Sequence, residues 1–327
     1  MQENVFLGNP CTRVHGENME DVVIHHEMLL SGREENIRHY LENSLSDNTR
    51  TAYKSDLAHF RKWGGGVPCS PETLASYLTD HAECLSMATL SRRVIAISKA
   101  HTFKGYTNPR NDLVKLTLKG IKRIHGKPQR QAAPILKEDL TVMLSQAPDN
   151  IKGCRDKALL ILGFCAALRR SEIVNIRYED LEFTTQGLVL TLPRSKTDQT
   201  GQGRKIGIPF GRGRICPVSL LKQWLERFAI EHGFIFVSIK KGGKITGEQL
   251  SDRSVANIIK GYAVKAGLYA EKYSGHSLRS GLCTSAAQHG VSSWKIRAQT
   301  GHKSDVMLAR YIRDADIFTD NAVSSIF

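Results

Sequence analysis

Three short stretches of this 327-residue chain hold side chains that could work on a phosphate, and a lysine lies between them. The first is LRRSE. Arg169 directly follows the eleven-residue apolar run ALLILGFCAAL, and Glu172 lies three positions on. That spacing predicts a shared helix face, where a carboxylate can orient a guanidinium fork. The second is GHSLRSG, in which His276 and Arg279 are also three apart. Arg169 and Arg279 together would form a two-arginine clamp. Guanidiniums suit a phosphate because each presents donors in a fork that matches two oxygens. His276 would add a proton donor. The third stretch is GHKSDVMLARY, where His302 follows Gly301 and Tyr311 comes nine residues after His302. Lys196, in RSKTD, falls between two strand patterns.

Taken singly, each piece has a structural reading. Arg169 and Glu172 could be a surface ion pair worth a few tenths of a kcal/mol. His276 could be a satisfied histidine at a helix start, and Tyr311 a half-buried ring on a surface helix. A lysine at a hairpin tip is usually only solvated.

The elements that must position these residues fall into two regions. Behind Asp47 or Asn48, either of which can cap a helix, Tyr53, Leu57, Phe60 and Trp63 recur at helical spacing up to Gly64. A second helix starts at Ser70, with Pro71 at its first position. MATLSRRVIAISKAHTFKG and NPRNDLVKLTLKGIKRIHG predict two more. The expected organisation is an acidic, loosely ordered leader at 1–35, a small helical domain at 36–125, a basic linker at 126–135 and a second, mainly helical domain at 136–327. In the last, CRDKALLILGFCAALRRSEIVNIRY reads as one long, largely buried helical region. Gly187–Pro193 and Arg204–Pro209 read as a hairpin with SKTDQTGQG at its tip. Helical patterns ending at Gly267, Gly290 and Gly301 follow. The fold class is mainly α with a small antiparallel β-sheet.

Charge points to the partner. The formal net charge is +14, and a surplus of this size favours a polyanion, nucleic acid first. Residues 1–35 are acidic, while residues 88–130 carry eleven Lys/Arg against the single acid Asp112. Arg92, Arg93, Lys119, Lys122, Arg123 and Lys127 are the expected DNA contacts. The seven cysteines include no C-x-x-C pair, which argues against a disulfide framework and a zinc site. No signal peptide is visible at the N-terminus. The longest apolar run is far short of the about 20 residues a membrane span needs. The expectation is a cytoplasmic protein.

The order R-x-x-E, lysine in a hairpin, H-x-x-R, G-H and a late tyrosine resembles the tyrosine recombinase (phage integrase) family. ALRRSEIVNIRYEDL is similar to that family's first arginine box, down to Tyr178–Leu181. GHSLRSG and GHKSDVMLARY are similar to its second. NTRTAYKSDLAHFRKW and ATLSRRVIAISKAH resemble two helical segments of its core-binding domain. The resemblance covers roughly residues 40–315 and is greatest to Cre/Xer-type site-specific recombinases.

That resemblance implies a two-domain, C-shaped clamp, with 36–125 as the core-binding (DNA-binding) domain and 136–327 as the catalytic domain with a C-terminal tail helix, and a bacterial, phage or plasmid-borne origin. It implies that Tyr311 attacks a DNA phosphodiester to give a 3′-phosphotyrosyl link, and that strands exchange through a Holliday junction. Arg169 and Arg279 would hold the non-bridging oxygens, with His302 donating to the same phosphate. His276 would move the Tyr311 proton, Lys196 would protonate the leaving 5′ oxygen, and Glu172 would orient its neighbours. Neither a metal nor another cofactor is implied. The partners would be double-stranded DNA with paired inverted-repeat sites and three further copies of the chain. The apolar tail (Ile317, Phe318, Val323, Ile326, Phe327) would link subunits into a homotetramer. Tyr262, Tyr269 and Tyr273 fit the nucleophile role less well, because all precede the H-x-x-R box. Two other readings stay open: type IB topoisomerase-like strand relaxation, and a non-catalytic DNA-binding protein of the same fold.

Overall fold

A computed structural model describes residues 40, 44–127, 131–193, 203–211, 215–240, 242–302, 304–306, 308–309, 311 and 326. The leader, the centre of the linker, the hairpin tip with Lys196 and nearly all of the tail lie outside the described residues. The chain divides between Gln129 and Arg130 into two compact units.

In the first unit, a polar residue precedes each helix, and three of the four cap it through the side chain. Helix α1 (Asp47–Trp63) begins one residue after Ser46 and ends at Gly64, which adopts φ 112. The Ser70 hydroxyl accepts from the Thr73 N–H at the head of α2 (Pro71–Asp80). Ser86 does the same for Thr89 at α3 (Met87–Phe103), and Asn111 for Val114 at α4 (Asp112–His125). Each such cap satisfies an N–H that the helix leaves open, worth about 1 kcal/mol. The apolar faces meet in one core of Phe60, Leu74, Tyr77, Leu78, Leu90, Val94, Ile97 and Val114.

The second unit is also mainly helical. Helix α5 (Lys137–Ser145) packs beside α6 (Ile151–Cys165), whose apolar middle from Ala158 to Leu162 is buried. The expected single helical region breaks here. The Leu168 N–H bonds the Gly163 carbonyl at 3.0 Å and the Ala167 N–H bonds Phe164 at 2.9 Å, with Ala167 at φ 50. This is a left-handed helix stop in which alanine takes the position usual for glycine. The chain then restarts as α7 (Arg170–Asn175), with Arg169 in extended conformation as its N-cap.

Strands β1 (Leu181–Phe183), β2 (Gly187–Leu192) and β3 (Arg204–Pro209) form an antiparallel sheet in that order. Leu190 pairs with both Leu181 and Ile206. Leu188, Leu190, Leu192, Ile206 and Ile208 alternate inward, which fixes the register. The expected hairpin is thus present with one further edge strand. Helix α8 (Pro217–Arg227) covers the core with Trp224, whose Nε1 donates to the Ile235 carbonyl at 2.7 Å. A second sheet, β4 (Val237–Ile239) with β5 (Ile245–Gln249), is irregular at its start. Helices α9 (Asp252–Lys265), α10 (Ser277–Gln288) and α11 (Ser293–Thr300) follow. Among the described residues no helix is long and apolar enough to cross a membrane.

Candidate active site

Arg169 and Glu172 meet, though not on a helix face. The Glu172 carboxylate accepts from the Arg169 backbone N–H through Oε2 at 2.8 Å and from its Nη1 through Oε1 at 2.5 Å. Glu172 therefore closes the first turn of α7 and fixes the guanidinium in the same contact. Its side chain is 4% exposed against 20% for Arg169, so the pair is desolvated with the arginine on the open side.

Arg279 lies in the first turn of α10 and is 1% exposed. Its Nη1 donates to the Ala167 carbonyl at 2.6 Å. Its Nη2 is buried and has no hydrogen-bond partner among the described residues. Burial, then the nearby Arg169 charge, lower its pKa to about 10. Helix α10 reaches this depth because residue 281 is glycine. A Cβ there would lie 1.8 Å from the Ile135 carbonyl oxygen, and the same segment is tied down by an Ile135 N–H bond to the Ser277 carbonyl.

His276 is the N-cap of α10. Its Nε2 lies 2.7 Å from the Tyr311 hydroxyl. Desolvation, then Arg279 and Arg169, hold its pKa below the ordinary value. The imidazole is therefore biased to its neutral form, in which Nε2 can take a proton.

Helix α11 stops at Gly301, φ 70, and His302 follows inside the protein at 7% exposure. Nδ1 of His302 lies 2.7 Å from the Thr300 hydroxyl. Burial is the main cause, with Arg279, Arg169 and His276 behind it, that takes the His302 pKa down to about 4. Asp305, Val306, Leu308, Ala309 and Tyr311 are helical. Tyr311 rests partly on Cys283, Ile296 and Leu308. Its ring centre is 6.2 Å from that of His276 and 6.0 Å from that of His302.

The structure thus gathers Arg169, Glu172, His276, Arg279, His302 and Tyr311 around one place. Lys196 lies outside the described residues. Arg204, which the sequence marked only as the start of a strand, also belongs here. Burial lowers its pKa, Glu172 raises it and Arg169 lowers it. Several cations crowded in a desolvated pocket, with one carboxylate among them, make a site for an anion. Among the described residues no group of three or more His, Cys, Asp or Glu side chains could hold a metal ion.

The expected DNA contacts separate into two kinds. Lys119, Lys122 and Arg123 on α4, and Lys127 just beyond it, are exposed. Arg93 is turned into the bundle. Its Nη1 donates to the Tyr77 hydroxyl at 2.7 Å and lies 2.8 Å from His59 Nδ1. Arg92 holds buried Asp56 through Nε at 2.7 Å and Nη2 at 2.9 Å, while its own side chain is 48% exposed. A carboxylate 1% exposed needs such cations, because an unpaired buried charge is costly. No expectation from spacing alone separates the two arginines from the lysines.

Comparison with known proteins finds a family and several relatives. The model for the phage integrase family matches residues 134–317. The chain is 43% identical over 298 residues to an integrase/recombinase xerD homolog of Selenomonas ruminantium, covering 88% of this chain and 87% of that one. A lambda integrase fragment, solved as a dimer bound to a COC′ core site, is similar at a TM-score of 0.63 and 18% identity, over 90% of this chain and 99% of that one. A lambda integrase tetramer bound to a Holliday junction is similar at a TM-score of 0.62 and 17% identity, over 94% and 84%. These two likenesses are of fold.

Proposed function

This chain belongs to the phage integrase family, the tyrosine recombinases, and we propose that this DNA strand-transferring enzyme is a site-specific recombinase that cuts and rejoins strands through a 3′-phosphotyrosyl intermediate. One observation carries the reading. The Tyr311 hydroxyl lies 2.7 Å from His276 Nε2, beside two arginines that are each fixed by a separate partner.

A phenol is a poor nucleophile near neutral pH unless its proton has somewhere to go. Neutral His276 takes it. The Tyr311 oxygen attacks phosphorus, the P–O5′ bond breaks, and the 5′ oxygen leaves with a proton from Lys196. Negative charge that grows on the non-bridging oxygens is met by Arg169, Arg279 and His302. In the second step a 5′-hydroxyl from another strand attacks the phosphotyrosine and frees Tyr311. One phosphodiester is exchanged for another, so no nucleotide cofactor is required, and the cationic side chains supply the charge that a metal otherwise would. Two rounds pass through a Holliday junction.

The proposed partners are double-stranded DNA with paired inverted-repeat sites and three further copies of the chain. The exposed basic residues of α4 meet the DNA backbone, in a cytoplasmic setting. The tail is proposed to link subunits. Residues 312–325 and 327 lie outside the described residues, and Ile326 is 75% exposed. Deleting residues 316–327 is expected to abolish pairing of two sites while leaving single-site binding intact. Unchanged recombination by the truncated protein would refute the tail's role.

The test of the function uses duplexes selected from a random-sequence library by full-length Tyr311→Phe protein. Two selected sites are placed head to head in a supercoiled plasmid. The expected product of the wild-type protein is inverted DNA. Relaxed plasmid with no inversion points to the topoisomerase-like alternative, and unchanged plasmid to a non-catalytic binding protein.

A further inference from the structure

Arg204 heads β3, immediately after the hairpin tip, and its side chain reaches the end of α11. Its Nη1 donates to the Gln299 carbonyl at 3.1 Å. Gly301 stacks its bare Cα on the same guanidinium: a Cβ there would sit 2.4 Å from Nη1. Gln299 in turn donates to the carbonyls of Cys165 at 2.9 Å and Gly207 at 3.3 Å. The end of α11, the end of α6 and β3 are therefore laced together under the turn that presents His302.

The other nitrogen, Nη2, is buried without a partner among the described residues. Four buried side-chain polar atoms share that condition, and one of the others is Nη2 of Arg279. Orphaned buried donors are rare because each costs the desolvation it does not recover. Two of the four belong to arginines whose charges act on one another. Arg204 is close enough to affect the charge states of Arg279 and His302 and to respond to Arg169 and Glu172. The acceptor that suits two free guanidinium nitrogens is an oxyanion.

We propose that Arg204 is a third guanidinium of the phosphate site, with Nη1 anchored on Gln299 and Nη2 donating to a non-bridging oxygen of the scissile phosphate. This rests on the recombinase reading above. In the step concerned, the Tyr311 Oη–P bond forms and the P–O5′ bond breaks. Arg204 gives and takes no proton; it offsets the oxygen charge that builds in between.

The probe is a selected duplex, nicked so that the short cleaved strand diffuses away, with either a normal or a methylphosphonate scissile linkage. A methyl group in place of one oxygen removes the charge that Arg204 would meet. Arg204→Ala is expected to slow single-turnover cleavage of the normal linkage on the order of a hundredfold. On the methylphosphonate it is expected to stay within a few-fold of wild type, which also shows that the variant folds. Arg204→Lys is expected to fall between, since lysine keeps the charge and loses the fork. The loss is expected to persist in a His302→Ala background. Equal slowing on both linkages, no slowing, or loss of the effect once His302 is removed would each overturn the proposal, the last reducing Arg204 to a support for His302. Failure of the wild-type protein to form any adduct overturns the recombinase reading and this inference together, and it is seen before any Arg204 variant is made.

Discussion

The carbonyl of Ala167, a residue at φ 50, accepts a hydrogen bond from Nη1 of Arg279 at 2.6 Å. A left-handed alanine costs about 1 kcal/mol, and here it turns one carbonyl onto one guanidinium. Two residues later the same turn releases Arg169 into its extended N-cap position. One strained corner thus sets both arginines. Strain of this kind gathers at working sites.

That relationship makes Arg279 hard to replace. Arg279→Lys keeps the charge but cannot hold Ala167 and address a phosphate at once. The expected result is a fall in single-turnover cleavage of about a hundredfold or more, roughly 3 kcal/mol of barrier, with affinity for the selected duplex changed less than threefold. Quench-flow cleavage and filter binding measure the two.

Glu172 acts through Arg169. Glu172→Ala removes both the acceptor for the Arg169 N–H and the counter-charge of a desolvated pair. Stability to urea is expected to fall by about 3 kcal/mol. Glu172→Gln keeps an acceptor oxygen, so its stability loss is smaller while cleavage still drops. Equal stability for the Ala variant and wild type would contradict this role.

His302 makes stability depend on pH. Its folded pKa is about 4, against about 6.5 in an unfolded chain. Between those values the unfolded chain binds more protons, so stability rises with pH there. The contribution is complete above pH about 6.5 and is lost as pH falls toward 4, up to about 3 kcal/mol in all. Urea midpoints at pH 7 and pH 5 are expected to differ more in wild type than in His302→Gln. The His276 pKa is also lowered, so the acid limb of the cleavage profile is expected below the usual histidine range.

The exposed cations of α4 are expected to hold phosphates. Lys122→Gln and Arg123→Gln should each weaken binding on every duplex by a similar factor and lower the salt slope by about 1. Arg93→Gln is expected to behave differently, costing fold stability through Asp56 and Tyr77. Titrations at several salt concentrations, with thermal melts, separate the two effects.

Most of the helical organisation was legible because caps and apolar periods are local. The helix stop at Ala167 was not, since alanine gives no turn signal and only the Arg279 contact explains its conformation. The spacing of Arg169 and Glu172 suggested a shared helix face, whereas the carboxylate reaches back to the residue that precedes the helix. Arg93 read as surface charge because its partners Asp56, His59 and Tyr77 come from two other helices. Arg204 gave no motif at all: its partner Gln299 is 95 residues away. The β4–β5 pair went unseen because strands of three and five residues carry too few alternations to register. The order of the chemical residues along the chain was the strongest signal, and no single one of them was sufficient.

Covalent capture shows directly whether Tyr311 is the nucleophile. Selected duplexes carrying a nick beside the cut site are incubated with wild-type and Tyr311→Phe protein, then resolved under denaturing conditions. The expected result is a protein–DNA adduct for wild type, with peptide mapping placing the DNA on Tyr311, and none for the phenylalanine variant at unchanged binding. An adduct formed by Tyr311→Phe, or mapped to Tyr262, Tyr269 or Tyr273, would contradict it.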